Sequence, residues 1–544
     1  MKTKLLHHII ILLYIVLLPC CTSKDAIFPE ETAIPDIQTK SLLYNSASDS
    51  LFFFVDGDCW IKPQKDPYKF CYFEAAIKQY KQNESLDKAP VLLPTHYALI
   101  IYPKSEEELC WIMKKDGVKV SYVPFGFAPV ADNKVPDTVM SQQSQRIYNK
   151  HTNPVPGMPV MYVVWPIGMS LPDGLECHIE YEAFLPDYSN ANELVSFDEL
   201  RSIERLAIEI ANPSMDEARG QSYRTLSALI RNSDNLLGSP VPVGNLKIRV
   251  QYGLNIIDNY TQSNGSLSVS GTLNDNASVY IVFENDRWRL SRKGSFFAYS
   301  LLLGSLTDIW PYNSYVYSPI LNHNYLTVHR AAQYFFHDND YLTVPQYNYS
   351  LRINMNEKVG GGNNYFTFVF GSPLIEYGDF WASDSGHYFF SAIHEMAHFY
   401  HYLQKGSNEN AYHAAHQLIK ESLADFIAWH LSRNYYMLLN GGLFDPYWDY
   451  SLGGLRQTWE YTSGSYYSPL FIDLMDDYNQ YYHNSNYNDD PITDMPFTSI
   501  TNIAVQNDSW SAVKSALQGK VGQYFTQTEL NTFVVPYDLF ISLE

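Results

Sequence analysis

Ser391-Ala-Ile-His394-Glu395-Met-Ala-His398-Phe-Tyr400 carries the pattern H-E-x-x-H. On an α-helix His394 and His398 lie one turn apart on the same face, so both imidazoles reach one metal ion. Glu395 projects about 100° further round the helix, where it can hold a water molecule beside the metal and act as general base. Phe389, Phe390, Ala392, Ile393, Met396, Ala397 and Phe399 supply an apolar surround without Pro or Gly, and this predicts a helix.

A hydrolytic zinc site takes three protein ligands and leaves one position open. The extended metzincin pattern would put a glycine and a histidine at positions 401 and 404, but His401 and Gln404 stand there. Downstream, Lys420-Glu421-Ser-Leu-Ala-Asp425-Phe426 reads as a second helix continuing through Ile427 and Trp429. About twenty residues separate it from His398, enough for a loop that folds this helix back onto the first. Asp425 is one turn beyond Glu421 and faces the same way. His413 and His416, in the connecting stretch, are alternative third ligands without the Asp425 partner geometry, and His401 reads as a packing or surface residue.

H-E-x-x-H followed by E-x-x-x-D resembles the gluzincins, the thermolysin-like clan of zinc metallopeptidases. The resemblance implies that His394, His398 and Glu421 ligate one Zn²⁺ per chain and that Glu395 activates the water. It also implies that Asp425 accepts a hydrogen bond from a ligand histidine. In this clan a Tyr or His usually stabilises the oxyanion. His430, Tyr435, Tyr436, Tyr466 and Tyr467 are the candidates, and the sequence leaves the role unassigned. The expected activity is hydrolysis of peptide bonds in extracellular proteins or glycoproteins. The alternative is a surface adhesion or ligand-binding lipoprotein with an inactive zincin domain.

The compartment is read from the N-terminus. Lys2 and Lys4 precede an apolar run from Leu5 to Leu18, too short to span a bilayer, so residues 1–21 are expected to be a signal peptide. Leu18-Pro19-Cys20-Cys21 resembles a bacterial lipobox with Cys21 as the lipidated residue, which implies an outer-membrane lipoprotein of a Gram-negative cell, held to the membrane through its lipid alone. The formal charge of −21 and the lack of any basic cluster speak against nucleic acid or an anionic lipid surface as partner. The remaining cysteines, Cys59, Cys71, Cys110 and Cys177, permit two disulfides in an exported protein, with the pairing open.

The length of 544 residues exceeds one ordinary core and predicts a multidomain α+β chain. Residues 22–45 read as a polar tether, and residues 46–238 as an α/β region. In that region Tyr97–Tyr102 and Val118–Val123 are expected strands, and Ser105-Glu-Glu-Glu108 and Ser196-Phe-Asp-Glu199 are capping boxes that open helices. A further helix is expected from about Met215 to Ile230. Residues 239–297 change to a period of two, with turns at Asn264-Gly265 and Asn285-Asp286, and predict a small β-sandwich similar to transthyretin-like modules. Residues 298–544 are expected to be the zincin-like catalytic domain, with a helix through Thr327–Phe336 and strands at Leu351–Met355, Tyr365–Phe370 and Pro373–Tyr377. Helices around 411–437, 466–478 and 509–518 should follow, and Asp473, Asp476 and Asp477 read as a solvated face.

Overall fold

The computed structural model describes residues 53–54, 60–84, 91–121, 123–130, 135, 150–187, 195–213, 222–273, 276–293, 295, 297–306, 315–317, 321–355, 364–369, 372–378, 384–445, 460–462, 465–477 and 491–541. The expected signal peptide, Cys21, the tether and Cys59 lie outside the described residues. Residues 51–544 form one compact unit, a mixed α+β arrangement of several sheets with ten α-helices among the described residues. Among those residues no helix is long and apolar enough to cross a membrane.

The N-terminal part runs β1 (Phe53–Phe54), β2 (Trp60–Pro63), α1 (Phe70–Asn83), β3 (His96–Ile101), α2 (Glu106–Lys114), β4 (Lys119–Ser121), β5 (Phe127–Val130), β6 (Met161–Pro166), β7 (Cys177–Ala183) and α3 (Phe197–Ala211). Four of these strands form an antiparallel sheet in the order β4-β6-β3-β7. Both expected helix starts are present. Ser105 Oγ accepts the Glu108 N–H at the head of α2, and Ser196 with Glu199 closes a reciprocal capping box on α3.

Ser222–Asn232 is a strand, β8, and not the helix expected over 215–230. Leu226, Leu229 and Ile230 fit a helical repeat, but the antiparallel partner β12 (Ser266–Leu273) takes the segment in register from Ser266↔Leu229 to Leu273↔Ser222. Tertiary pairing overrides the local pattern here. Next in the chain come β9 (Val241–Pro242), β10 (Lys247–Tyr252), β11 (Asn255–Tyr260), β13 (Ser278–Val282), β14 (Trp288–Arg292), β15 (Ser300–Ser305) and β16 (Tyr315–Tyr317). β12 is entered through the expected Asn264-Gly265 turn. Gly265 has a φ of +77°, and a Cβ there would collide with the Ile230 carbonyl. β10, β11, β13 and β15 share one sheet, whereas β12 pairs with β8, so pairing runs across residue 238.

Pairing also runs across residue 297. β14 is parallel to β17 (Leu351–Met355), which is parallel to β19 (Ser372–Tyr377), and β18 (Tyr365–Val369) closes this sheet as an antiparallel edge. Alternate residues give the sheet two faces. Trp288, Leu290, Leu351, Ile353, Met355, Ile375 and Tyr377 belong to one continuous apolar core with α4 (Leu321–Gln333) and α5 (Ser385–Gln404). The opposite face carries Arg289, Ser291, Arg352 and Asn354, all buried. Arg289 pairs with Glu106 at the head of α2, Arg352 lies 4.0 Å from the same carboxylate, and Arg289 Nη1 is 3.2 Å from Cys110 Sγ. The N-terminal sheet and its helices thus dock on the polar face through α2.

α4 ends in a π-helical turn, Tyr334–Asp338. After α5 come α6 (Glu409–Ala414) and α7 (Gln417–Leu439), so the helix expected over 411–437 is broken at Ala415-His416. The expected helix at 466–478 is replaced by the hairpin of β20 (Glu460–Thr462) and β21 (Ser465–Tyr467), followed by turns. Pro469 cannot donate a helical hydrogen bond, and Leu470, Phe471, Ile472 and Leu474 are buried in this compact loop. Asp473 is buried and accepts a hydrogen bond from the Tyr537 hydroxyl, so it does not belong to a solvated face. α8 (Phe497–Gln506), α9 (Trp510–Gln518) and α10 (Gln527–Ile541) complete the chain.

One core histidine yields a stability prediction. His329 on α4 is fully buried against Trp288 and Phe283, with Nε2 donating to the Gly244 carbonyl at 3.1 Å. Burial pushes its imidazole down to about 4. The unfolded chain therefore binds a proton near pH 6.5 that the folded chain refuses, so this stability is complete above pH 6.5 and is lost as the pH falls towards 4. Denaturant titrations across that window should show a fall of about 1.4 kcal/mol per pH unit from this residue. His329→Gln should flatten the slope by about one proton.

Candidate metal centre

The centre is built where α5 and α7 pack against each other. α5 is buried round almost its whole circumference, which its run of Phe, Ile, Met, Ala and Tyr residues permits. Its N-terminus is fastened at several points. Asp384 Oδ1 accepts the Gly386 and His387 N–H groups, Ser385 N–H donates to Asn235 Oδ1 at 2.8 Å, and Ser385 Oγ lies 3.3 Å from His323 Nε2. α7 is capped by His416, whose Nδ1 accepts the Leu418 N–H at 3.2 Å.

His394, His398 and Glu421 come together with donor atoms all within 4.8 Å of one another, and all three are buried. Glu421 Oε2 is 3.3 Å from His394 Nε2 and 3.3 Å from His398 Nε2. The two rings stand nearly perpendicular, with centroids 4.9 Å apart. His394 Nδ1 donates to Asp425 Oδ1 at 2.8 Å, which turns Nε2 towards Glu421, where a metal ion would take the place of its proton. Burial alone would lower the His394 imidazole, but the Asp425 carboxylate, helped by Glu421 and Glu395, overrides it and raises the group to about 10. Burial alone would likewise raise Glu421, yet positive charge on His398 and hydrogen bonds from both rings hold it well below the usual carboxylate range. Burial raises Glu395, partly offset by the two histidines, and its Oε2 is buried with no hydrogen-bond partner among the described residues.

This donor set fits a metal ion. Ligand bonds of about 2.0–2.1 Å in a tetrahedron put donor atoms roughly 3.3–3.4 Å apart, the separation at which Oε2 stands from both nitrogens. The orphaned Glu395 oxygen beside them supplies an acceptor for a water molecule.

The other histidines and tyrosines considered from the sequence lie elsewhere. His413 is exposed, with Nε2 3.7 Å from Glu409, and His416 is the helix cap. His401 is buried beside the Tyr412 ring and is outside the ligand group, a packing role. His430 is stacked on Phe497 at 4.6 Å and edge-on to Tyr341. Tyr435 accepts from Arg330 Nε, and Tyr436 donates to Asp234, so both serve the buried Arg330–Asp234 pair. The side chains of Tyr466 and Tyr467 lie outside the described residues.

Sequence reasoning missed Tyr412, on the short helix α6. Burial pushes its hydroxyl well up, and the negative charge of Glu421 and Glu395 adds to the shift. Its ring packs on Phe366 of β18 at 5.4 Å, and Phe366 in turn stacks on His398 at 6.4 Å. The available signal was position: Tyr412 lies between the two ligand helices, whereas the candidates were sought after Glu421.

No protein-family model matches this chain, and no curated protein matches it.

Asp425 tests the site. Outer partners of metal-bound histidines are worth about 10–100-fold in metal affinity. Asp425→Ala should weaken zinc binding by that factor in a chelator competition, while Asp425→Asn, which can still accept from His394, should lose less.

Proposed function

We propose that this protein is a zinc-dependent peptidase of the gluzincin type that hydrolyses peptide bonds of extracellular proteins or glycoproteins. The observation that carries the reading is Glu421 Oε2 standing 3.3 Å from the histidine Nε2 atoms, with Glu395 Oε2 buried and without a hydrogen-bond partner among the described residues. Two imidazoles and one carboxylate are the ligand set of a catalytic zinc with one open position. The mixed sheet that precedes α5 also agrees with the strands-then-helix layout expected of a zincin-like domain.

Zinc held by His394, His398 and Glu421 would supply Lewis acidity and lower the pKa of a coordinated water towards about 7. Glu395, raised by burial, takes a proton from the attacking water and returns it to the leaving nitrogen. Tyr412 keeps its proton at neutral pH, and its O–H donates to the oxygen on which negative charge develops. Asp425 keeps His394 in the tautomer that points Nε2 inward. β18, the outer strand of its sheet among the described residues, offers an extended peptide backbone a ladder to join, with Phe366 beside His398. The lipobox-like Cys21 would tether this activity to the outer membrane of a Gram-negative cell.

Metal analysis by mass spectrometry together with cleavage of a diverse peptide library tests the reading. One zinc per chain and cleavage are expected, and Glu395→Gln should lower kcat by about 10²–10⁴-fold with zinc retained. Cleavage that survives Glu395→Gln, or bound zinc without any cleavage, would reject the proposal. Tyr412→Phe should cut kcat by about 10²–10³-fold and leave KM nearly unchanged.

A further inference from the structure

Glu421 has two carboxylate oxygens, and the centre faces only one of them. Oε2 is the atom set 3.3 Å from both histidine nitrogens. Oε1 accepts a hydrogen bond from Gln417 Nε2. Gln417 is the first residue of α7 and precedes Glu421 by one helical turn, so the two side chains share a helix face. Its place is fixed in turn, because the preceding residue, His416, caps the helix and donates its backbone N–H to the Asp508 carbonyl at 2.8 Å.

We infer that Gln417 is a positioning residue that holds Glu421 as a one-oxygen ligand. The inference rests on the metal-centre reading above and adds a residue to it. The terminal torsion of a glutamate is soft, so a carboxylate with two unrestrained oxygens can turn and chelate with both. An amide donor fixed on Oε1 lowers the energy of one rotation and keeps that oxygen occupied. The fourth position stays open for a water molecule or a substrate carbonyl. An amide suits this task better than a lysine or arginine, since it orients the carboxylate without neutralising the charge that attracts the cation. Gln417 acts through Glu421 and touches no reacting atom.

Cobalt(II) is the probe, added to the full metal-free chain as wild type, Gln417→Ala and Gln417→Glu. Wild type should give the intense visible d–d absorption of a four-coordinate centre. Both variants should give a weaker, five-coordinate spectrum as Oε1 joins the metal, with cobalt affinity reduced by about 10–100-fold in chelator competition. Thermal unfolding of the metal-free proteins should show both variants folded, with a lower midpoint from the lost Gln417–Glu421 hydrogen bond. A Gln417→Ala protein with wild-type band intensity and wild-type affinity overturns the role of Gln417 and leaves the metal centre standing. A wild-type chain that gives no cobalt spectrum overturns both.

Discussion

The carboxylate oxygen of Glu421 facing two imidazole nitrogens is an expensive arrangement inside a protein. Three groups that water would solvate are removed from it, and a charge buried without partners costs several kcal/mol. The cost is tolerable only where opposite charge and hydrogen bonds compensate. Asp425 on His394 and Gln417 on Glu421 provide such compensation from the outer side. What faces inward is a donor set whose charge a divalent cation would satisfy. α5 must be buried on nearly every side to exclude water from this point, and the sheet, α4 and α7 between them cover it. The architecture around α5 follows from that requirement.

The central sheet solves a second problem of the same kind. Its apolar face packs under the helices, while Arg289 and Arg352 on the reverse face meet Glu106 and Cys110 from α2. Buried ion pairs of this sort add little net stability, but breaking one partner away leaves a charge stranded. Their effect is to fix where the N-terminal sheet can sit, because an apolar contact would tolerate sliding and these paired charges do not. A neighbouring cluster repeats the device: Arg249 donates to Asp258 and to the Val120 carbonyl, and Lys247 bridges Asp258 and Glu284. The N-terminal layer is thereby keyed to two sheets by charge.

Much of the centre was legible in the sequence because it depends on helical spacing. His394, His398, Glu421 and Asp425 need only two helices and a turn between them, and the one-turn intervals specify which side chains meet. Tyr412 escaped because its position depends on α6, a helix too short to leave a periodic signal, and on the fold that lays it beside Phe366. Gln417 escaped because a glutamine at a helix start carries no signature of its own. In the fold, the capping boxes and the strands with clean alternation were readable. Ser222–Asn232 was not, since Leu226, Leu229 and Ile230 satisfy a helical repeat until β12 supplies a partner. The parallel pairing of β14 with β17 joins residues more than fifty positions apart, and no local pattern encodes it.

The remaining step concerns how two independent helices hold their ligands to a fixed separation. His398 stands two turns before the end of α5, and Glu421 stands one turn inside the start of α7. Both of those ends are tied to the same residue. Lys405, just past α5, pairs with the Asp508 carboxylate, and His416, just before α7, donates its N–H to the Asp508 carbonyl. Asp508 lies in the short connection between α8 and α9, so a segment nearly ninety residues beyond Glu421 closes the angle between the ligand helices. Packing along α5 and α7 keeps the helices together, but the hydrophobic effect is non-directional and leaves the helices some freedom to shift. Two directional contacts converging on one residue remove that freedom at the end of the crossing where the third ligand enters. The C-terminal helices therefore support the buried His394–His398–Glu421 group mechanically, from outside it.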